Sequence, residues 1–131
     1  MIVVDASAAL AIDLNEDDHT FYASSISNAS IALISVSSVL ECSMKVQRRH
    51  GEGGETSLNR FLEAAKLQVC EIDLAQLAAA RTAFGPHGKG IGHRAQLNFG
   101  DCLSYALAKT RTLPLLFKGK DFPQTDIAVA T

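Results

Sequence analysis

The chain has 131 residues, 47% of them apolar and 20% charged, enough to bury a core without disulfides and too apolar for a disordered polymer. A formal charge of -2 and a pI of about 6.0 exclude a globally basic nucleic-acid binder, so any contact with phosphate must come from local patches or from a metal ion. Cys42, Cys70 and Cys102 show no CxxC spacing, which fits reduced core thiols in a cytoplasmic protein better than a disulfide framework or a zinc site.

In chain order, Met1 to Val4 is a short β-branched run ending in Asp5, and Ala6 to Leu14 is rich in alanine and leucine, so a strand is expected to run into a helix. The apolar start "MIVVDASAALAIDL" does not read as a leader or a membrane span. Asp5 and Asp13 interrupt it, no basic segment precedes it, and it falls short of the roughly 20 apolar residues a span needs. Glu16 to Ala29 reads as a weaker helix and Ser30 to Ser35 as a buried parallel strand. Ser37 to Arg49 is a helix with Val39, Met44 and Val46 inward and Lys45, Gln47, Arg48 and Arg49 outward, stopped by Gly51. The basic residues suit the negative end of its dipole.

"GEGGE" from Gly51 is expected to turn, followed by an amphipathic helix over Thr56 to Leu67 and a strand over Gln68 to Ile72. An alanine-rich helix then runs from Asp73 or Leu74 to about Phe84. "GPHGKGIG", Gly85 to Gly92, is expected to be an exposed loop. Asn98 to Thr110 is a helix, Leu113 to Phe117 a strand interrupted by Pro114, and Ile127 to Ala130 a last apolar segment. Short apolar strands alternating with helices predict one α/β domain over residues 1–131 with a mainly parallel sheet.

In open α/β sheets ligands bind beyond the carboxyl ends of the strands. Four acids fall at such places: Asp5 after the first strand, Glu41 early in the helix after the second, Asp101 at the start of the "NFGDCLSYALA" helix, and Asp121 after "PLLF". Each has a structural explanation. Asp5 suits an N-cap, Ser38 to Glu41 matches the S-x-x-E capping box, Asp101 sits three residues after a possible Asn98 cap, and Asp121 suits a turn. If the sheet gathers them, like charges about 4 Å apart repel by several kcal/mol at an effective dielectric near 20, and a divalent cation relieves that repulsion. Oxygen ligands without a His/Cys cluster point to Mg²⁺ or Mn²⁺, and to metal-assisted phosphodiester hydrolysis.

"MIVVDASAALA", "SVSSVLECSMKV" and "GHRAQLNFGDCLSYALAKTRTLPLLFKGKDFPQTDI" resemble the PIN-domain ribonucleases, specifically the VapC-type toxins of bacterial toxin-antitoxin pairs. The resemblance implies a three-layer α/β/α sandwich around a mainly parallel sheet of about five strands. It implies Mg²⁺, with Mn²⁺ as a possible substitute, and RNA cleavage by metal-activated water to leave 5'-phosphate ends. Asp5 and Asp101 would be direct ligands, Glu41 would act through water or with the base, and Asp121 would complete the pocket. Ser7 falls where the family often has a small polar residue near the site, and Asn98 either caps its helix or helps hold the pocket. His93-Arg94 departs from an expected His-Pro pair. The resemblance also implies a homodimer and a VapB-type antitoxin whose C-terminal segment blocks the pocket; Phe21, Tyr22 and Ile26 are candidates for its groove.

Among the basic residues, Lys89, His93 and Arg94, with Lys118 and Lys120 beside Asp121, are the candidates for RNA contact, since a basic loop beside an acidic metal pocket can guide a phosphate backbone. The histidines show no metal or triad spacing and read as surface residues. A phospho-receiver is disfavoured because no aspartate lies between Asp18 and Asp73, and a haloacid-dehalogenase-like phosphatase because Asp5-Ala6-Ser7 lacks D-x-D. A PIN-like scaffold that binds a partner without cutting is the remaining alternative.

Overall fold

The computed structural model describes residues 1–90 and 96–131. In chain order it contains β1 (Ile2–Val4), α1 (Ala6–Asp13), α2 (His19–Asn28), β2 (Ala32–Ser35), α3 (Val36–His50), α4 (Glu52–Ala64), β3 (Gln68–Cys70), α5 (Leu74–His87), α6 (Phe99–Arg111) and β4 (Leu115–Leu116), then a 3-10 turn at Phe122–Gln124. The strands form one parallel sheet in the order β3-β2-β1-β4, so β1 is central and strand order reverses there.

Alternation along β1 sorts the core into two clusters. Ile2 and Val4 pack with Ile34, Leu10, Ile26, Val46 and Leu58 under the helices α1 to α4. Val3 faces the other way, with Leu33 and Leu115, against Ala80, Ala83, Leu103 and Leu107 of α5 and α6. The result is the α/β/α sandwich, with four strands among the described residues rather than about five. The last apolar segment, Ile127 to Ala130, makes a single parallel bridge between Val129 and Leu115 and adds no fifth strand. Pro114 has no N–H to donate, although its carbonyl accepts the Val3 N–H at 2.9 Å, and β4 is two residues long and offers little edge to pair with.

Several boundaries move for physical reasons. "GEGGE" does not turn away from the helix that follows it: α4 begins at Glu52, because Gly54 packs so closely on α3 that a Cβ there would stand 2.3 Å from the Val46 carbonyl oxygen. Close helix packing outweighs the poor helix propensity of glycine. α5 continues to His87 through Pro86, so the first part of the expected glycine loop is helical, and the Gly88 N–H closes on the Phe84 carbonyl at 2.8 Å. α2 starts at His19 rather than Glu16, and Met44 is exposed rather than inward.

A carboxylate pocket at the carboxyl ends of the strands

Asp5 leaves β1 at the centre of the sheet and is only 6% exposed. It is the N-cap of α1: its Oδ2 accepts the Ser7 N–H at 3.0 Å and the Ser7 hydroxyl at 2.6 Å. Its Oδ1 accepts the Ser104 hydroxyl, one turn into α6 beyond Asp101, at 2.5 Å. Ser7 in turn accepts the Lys118 N–H at 2.9 Å, which ties the chain after β4 to the Asp5 carboxylate.

Asp101 and Asn98 form a reciprocal capping box. The Asn98 side chain accepts the Asp101 N–H at 2.9 Å, and Asp101 Oδ2 accepts the Asn98 N–H at 3.1 Å. Asn98 is therefore the helix cap. The S-x-x-E pattern at Ser38 to Glu41 is not a capping box. Ser35 caps α3, accepting the Ser37 N–H at 3.3 Å, which leaves Ser38 buried inside the helix and Glu41 in its second turn. Released from capping, Glu41 reaches across to α6. A Cβ on Gly100 would meet Glu41 Oε1 at 2.3 Å, so the glycine at the start of α6 is what makes room for this carboxylate.

Electrostatics place the acids in one another's field. Burial pushes the Asp101 carboxyl up to about 6, and the charges of Asp5, Asp121 and Glu41 add to the rise against the lowering bond from Asn98. Burial raises Glu41 too, with Asp5 contributing and Lys45 opposing from 4.0 Å. Asp121, just before the 3-10 turn, makes no side-chain cap bond there and is anchored by the buried Phe122, whose ring packs on Phe117 at 5.1 Å.

Asp101 thus lies within the field of the other three sequence-predicted acids. Among the described residues no three His, Cys, Asp or Glu side chains already stand close enough to enclose an ion. The donor set still suits Mg²⁺, which is held by one or two carboxylates and keeps several waters, and the bare Gly100 lets the Glu41 carboxylate approach the start of α6.

The basic candidates divide. Lys89 and Lys120 are exposed, whereas the Lys118 ammonium is held by Glu16 at 2.6 Å and Asp18 at 3.1 Å, which raises its pKa. His93 and Arg94 lie outside the described residues. His87 is half-buried, its ring tilted beside Tyr105 with centroids 6.3 Å apart. Sequence reasoning missed Ser104 and Ser38, whose partners are distant in the chain. Cys42 and Cys102 are buried as expected, with burial pushing the Cys42 thiol up to about 12, while Cys70 is partly exposed.

The family model described as the PIN domain matches residues 2–128. Ribonuclease VapC28 of Mycobacterium tuberculosis is 41% identical over 126 residues, covering 96% of this chain and 95% of the relative. Ribonuclease VapC of Mycolicibacterium smegmatis is 41% identical over 127 residues, covering 97% and 98%. Among solved structures, Mycobacterium tuberculosis VapC20, described as a sarcin-ricin loop cleaving toxin, superposes with a TM-score of 0.79 at 15% identity, covering 98% of this chain and 97% of that one. VapBC2 of Rickettsia felis, bound to a DNA fragment from its promoter, gives 0.74 at 16%, covering 98% and 96%. With the family model matched over residues 2–128 and relatives matched over nearly their whole length, the chain belongs to the PIN-domain family, among the VapC ribonucleases.

Proposed function

We propose that this chain is a divalent-metal-dependent endoribonuclease and the toxin of a toxin-antitoxin pair. The observation that carries the reading is the gathering of Asp5, Glu41, Asp101 and Asp121 at the strand ends, where burial and the three neighbouring acids hold Asp101 near 6. A hard cation there, Mg²⁺ or in its place Mn²⁺, would lower the pKa of attacking water and neutralise charge on the phosphoryl oxygens. Asp5 and Asp101 are assigned as direct ligands, Glu41 as the group that holds or deprotonates the water, and Asp121 as the closing carboxylate. Ser7 steadies Asp5, and Asn98 fixes the helix end that presents Asp101. Lys89 and Lys120, with His93 and Arg94, are assigned to the RNA backbone, whereas Lys118 is spent on neutralising Glu16 and Asp18. The presence of all four acids favours an enzyme over an inactive scaffold.

The test is cleavage of a structured RNA. Chelation with EDTA is expected to stop it, and Mg²⁺ or Mn²⁺ to restore it, with 5'-phosphate ends on the products. Cleavage undiminished in EDTA would refute the metal mechanism.

The partner surfaces follow from exposed apolar residues. Between α1, α2 and α4 lies a cleft of about 670 Å³ lined by Ile12, Ala23, Ile26, Phe61 and Ala65, suited to an amphipathic segment of a VapB-type antitoxin. Phe21 stands exposed on the same α2, while Tyr22 is committed to the core. On the opposite layer Leu77, Phe84 and Phe99 line a second cleft and, with Leu74, form an apolar patch that suits a second copy of the chain. Phe99 is 81% exposed, so Phe99→Glu should leave the fold intact and shift the protein from dimer to monomer in sedimentation velocity. No helix among the described residues is long and apolar enough to cross a membrane. With its free thiols, we assign the protein to the cytoplasm.

A further inference from the structure

We propose that Ser104 and Ser38 are positioning residues for Asp5, forming a directed hydrogen-bond relay that fixes which part of its carboxylate faces the pocket. The proposal rests on the reading of Asp5 as a metal ligand.

Direction follows from proton counting. An ionised carboxylate only accepts, and a serine hydroxyl has one proton. The Ser104 proton is therefore spent on Asp5 Oδ1 at 2.5 Å. The 3.0 Å contact between the Ser104 and Ser38 hydroxyls must then run from Ser38 as donor to Ser104 as acceptor. Both serines are buried, at 0% and 2% exposure, so neither proton is lost to bulk water. A chain of this kind strengthens its terminal bond, because a hydroxyl that accepts becomes a better donor.

A second relay approaches the other oxygen in the same order. The Lys118 N–H donates to Ser7, and Ser7 donates to Asp5 Oδ2. Oδ2 also accepts the Ser7 N–H. Three of the four acceptor positions of the carboxylate are thus filled, and the remaining one lies on Oδ1, the oxygen Ser104 holds. The Ser38–Ser104 bond also joins α3 to α6 one turn from Glu41 and Asp101, three residues along each helix, and so fixes the separation of the two helices that carry them.

The test is Mn²⁺ titration calorimetry on the full chain, with Asp5→Asn, Ser104→Ala, Ser38→Ala and the double serine variant. Ser104→Ala is expected to weaken Mn²⁺ binding about tenfold, the scale of a hydrogen bond to a charged group, and Ser38→Ala about threefold. In a relay the losses do not multiply: the double variant should bind as Ser104→Ala does. Cleavage should show a raised Mn²⁺ requirement with KM for RNA unchanged, whereas a merely structural loss would lower the active fraction at every Mn²⁺ concentration. Ser38 does not touch Asp5, so Ser38→Ala decides the matter even if Ser104→Ala does not fold. Wild-type affinity in Ser38→Ala, or multiplying losses, overturns the relay while weakened binding by Asp5→Asn upholds the ligand. Wild-type binding by Asp5→Asn overturns the ligand reading and the relay with it.

Discussion

Asp101→Asn is expected to lower RNA cleavage about a thousandfold, the equivalent of several kcal/mol of transition-state charge stabilisation at 1.36 kcal/mol per decade. The same change should make the metal-free protein melt higher at pH 7. The sign follows from linkage. The Asp101 carboxyl is raised from 3.8 to about 6, first by burial and then by Asp5, Asp121 and Glu41. A carboxyl raised on folding contributes stability that is fully present below its unfolded value and lost as pH rises through the folded one. Above about pH 6 the metal-free wild type therefore carries an ionised, half-buried carboxylate that asparagine does not. The capping bond survives, since an asparagine oxygen at position 101 still accepts the Asn98 N–H. Thermal melts from pH 4 to 8 check this: the advantage of Asp101→Asn should grow from about pH 4 and level off above about pH 6. Added Mn²⁺ should raise the melting temperature of the wild type alone. That outcome would mean that the acid assigned to the metal is held at a cost to the empty fold.

Gly100→Ala should separate function from stability from the other side. Alanine is favoured over glycine in a helix by up to about 1 kcal/mol, and Gly100 lies in the first turn of α6. Among the described residues, and beyond its own turn of helix, the nearest atoms to the new Cβ belong to the Glu41 carboxylate, with Oε1 at 2.3 Å. That carboxylate ends a flexible side chain and is half exposed, so it moves aside without disturbing the backbone. Displacement by about 1 Å at a reacting centre costs on the order of 100-fold. Cleavage is expected to fall by that order while the melting temperature holds or rises. A melting temperature lowered in step with activity would instead make Gly100 a packing residue.

Much of this site was legible in the sequence because its logic is local. An acid directly after a β-branched run, as Asp5 after Ile2–Val4, lies at a strand end whatever the rest of the chain does. Asn98 and Asp101, three residues apart, announced their capping box. The S-x-x-E match at Ser38 misled because the serine run offers more than one cap. Ser35 takes the role at the end of β2, and the cap shifts three residues back from Ser38. That shift is what frees Glu41 for the pocket.

What stayed hidden depends on pairings between distant parts of the chain. Ser104 meets Asp5 across 99 residues and Ser38 across 66, and nothing near any of them marks the contact. Lys118 looked like a free cation beside Asp121, but Glu16 and Asp18 reach it from the opposite end of the sequence. The helical start of α4 was equally illegible, since glycine propensity argues against it and only the approach to Val46 explains it.

The most direct measurement is RNA cleavage by the Asp5→Asn/Asp101→Asn double variant across a Mn²⁺ titration, beside the wild type. The prediction is a wild type whose rate rises and saturates with Mn²⁺ and a folded double variant whose rate stays at background throughout. A double variant that cuts at the wild-type rate would contradict the assignment of these carboxylates to the metal and to the reaction.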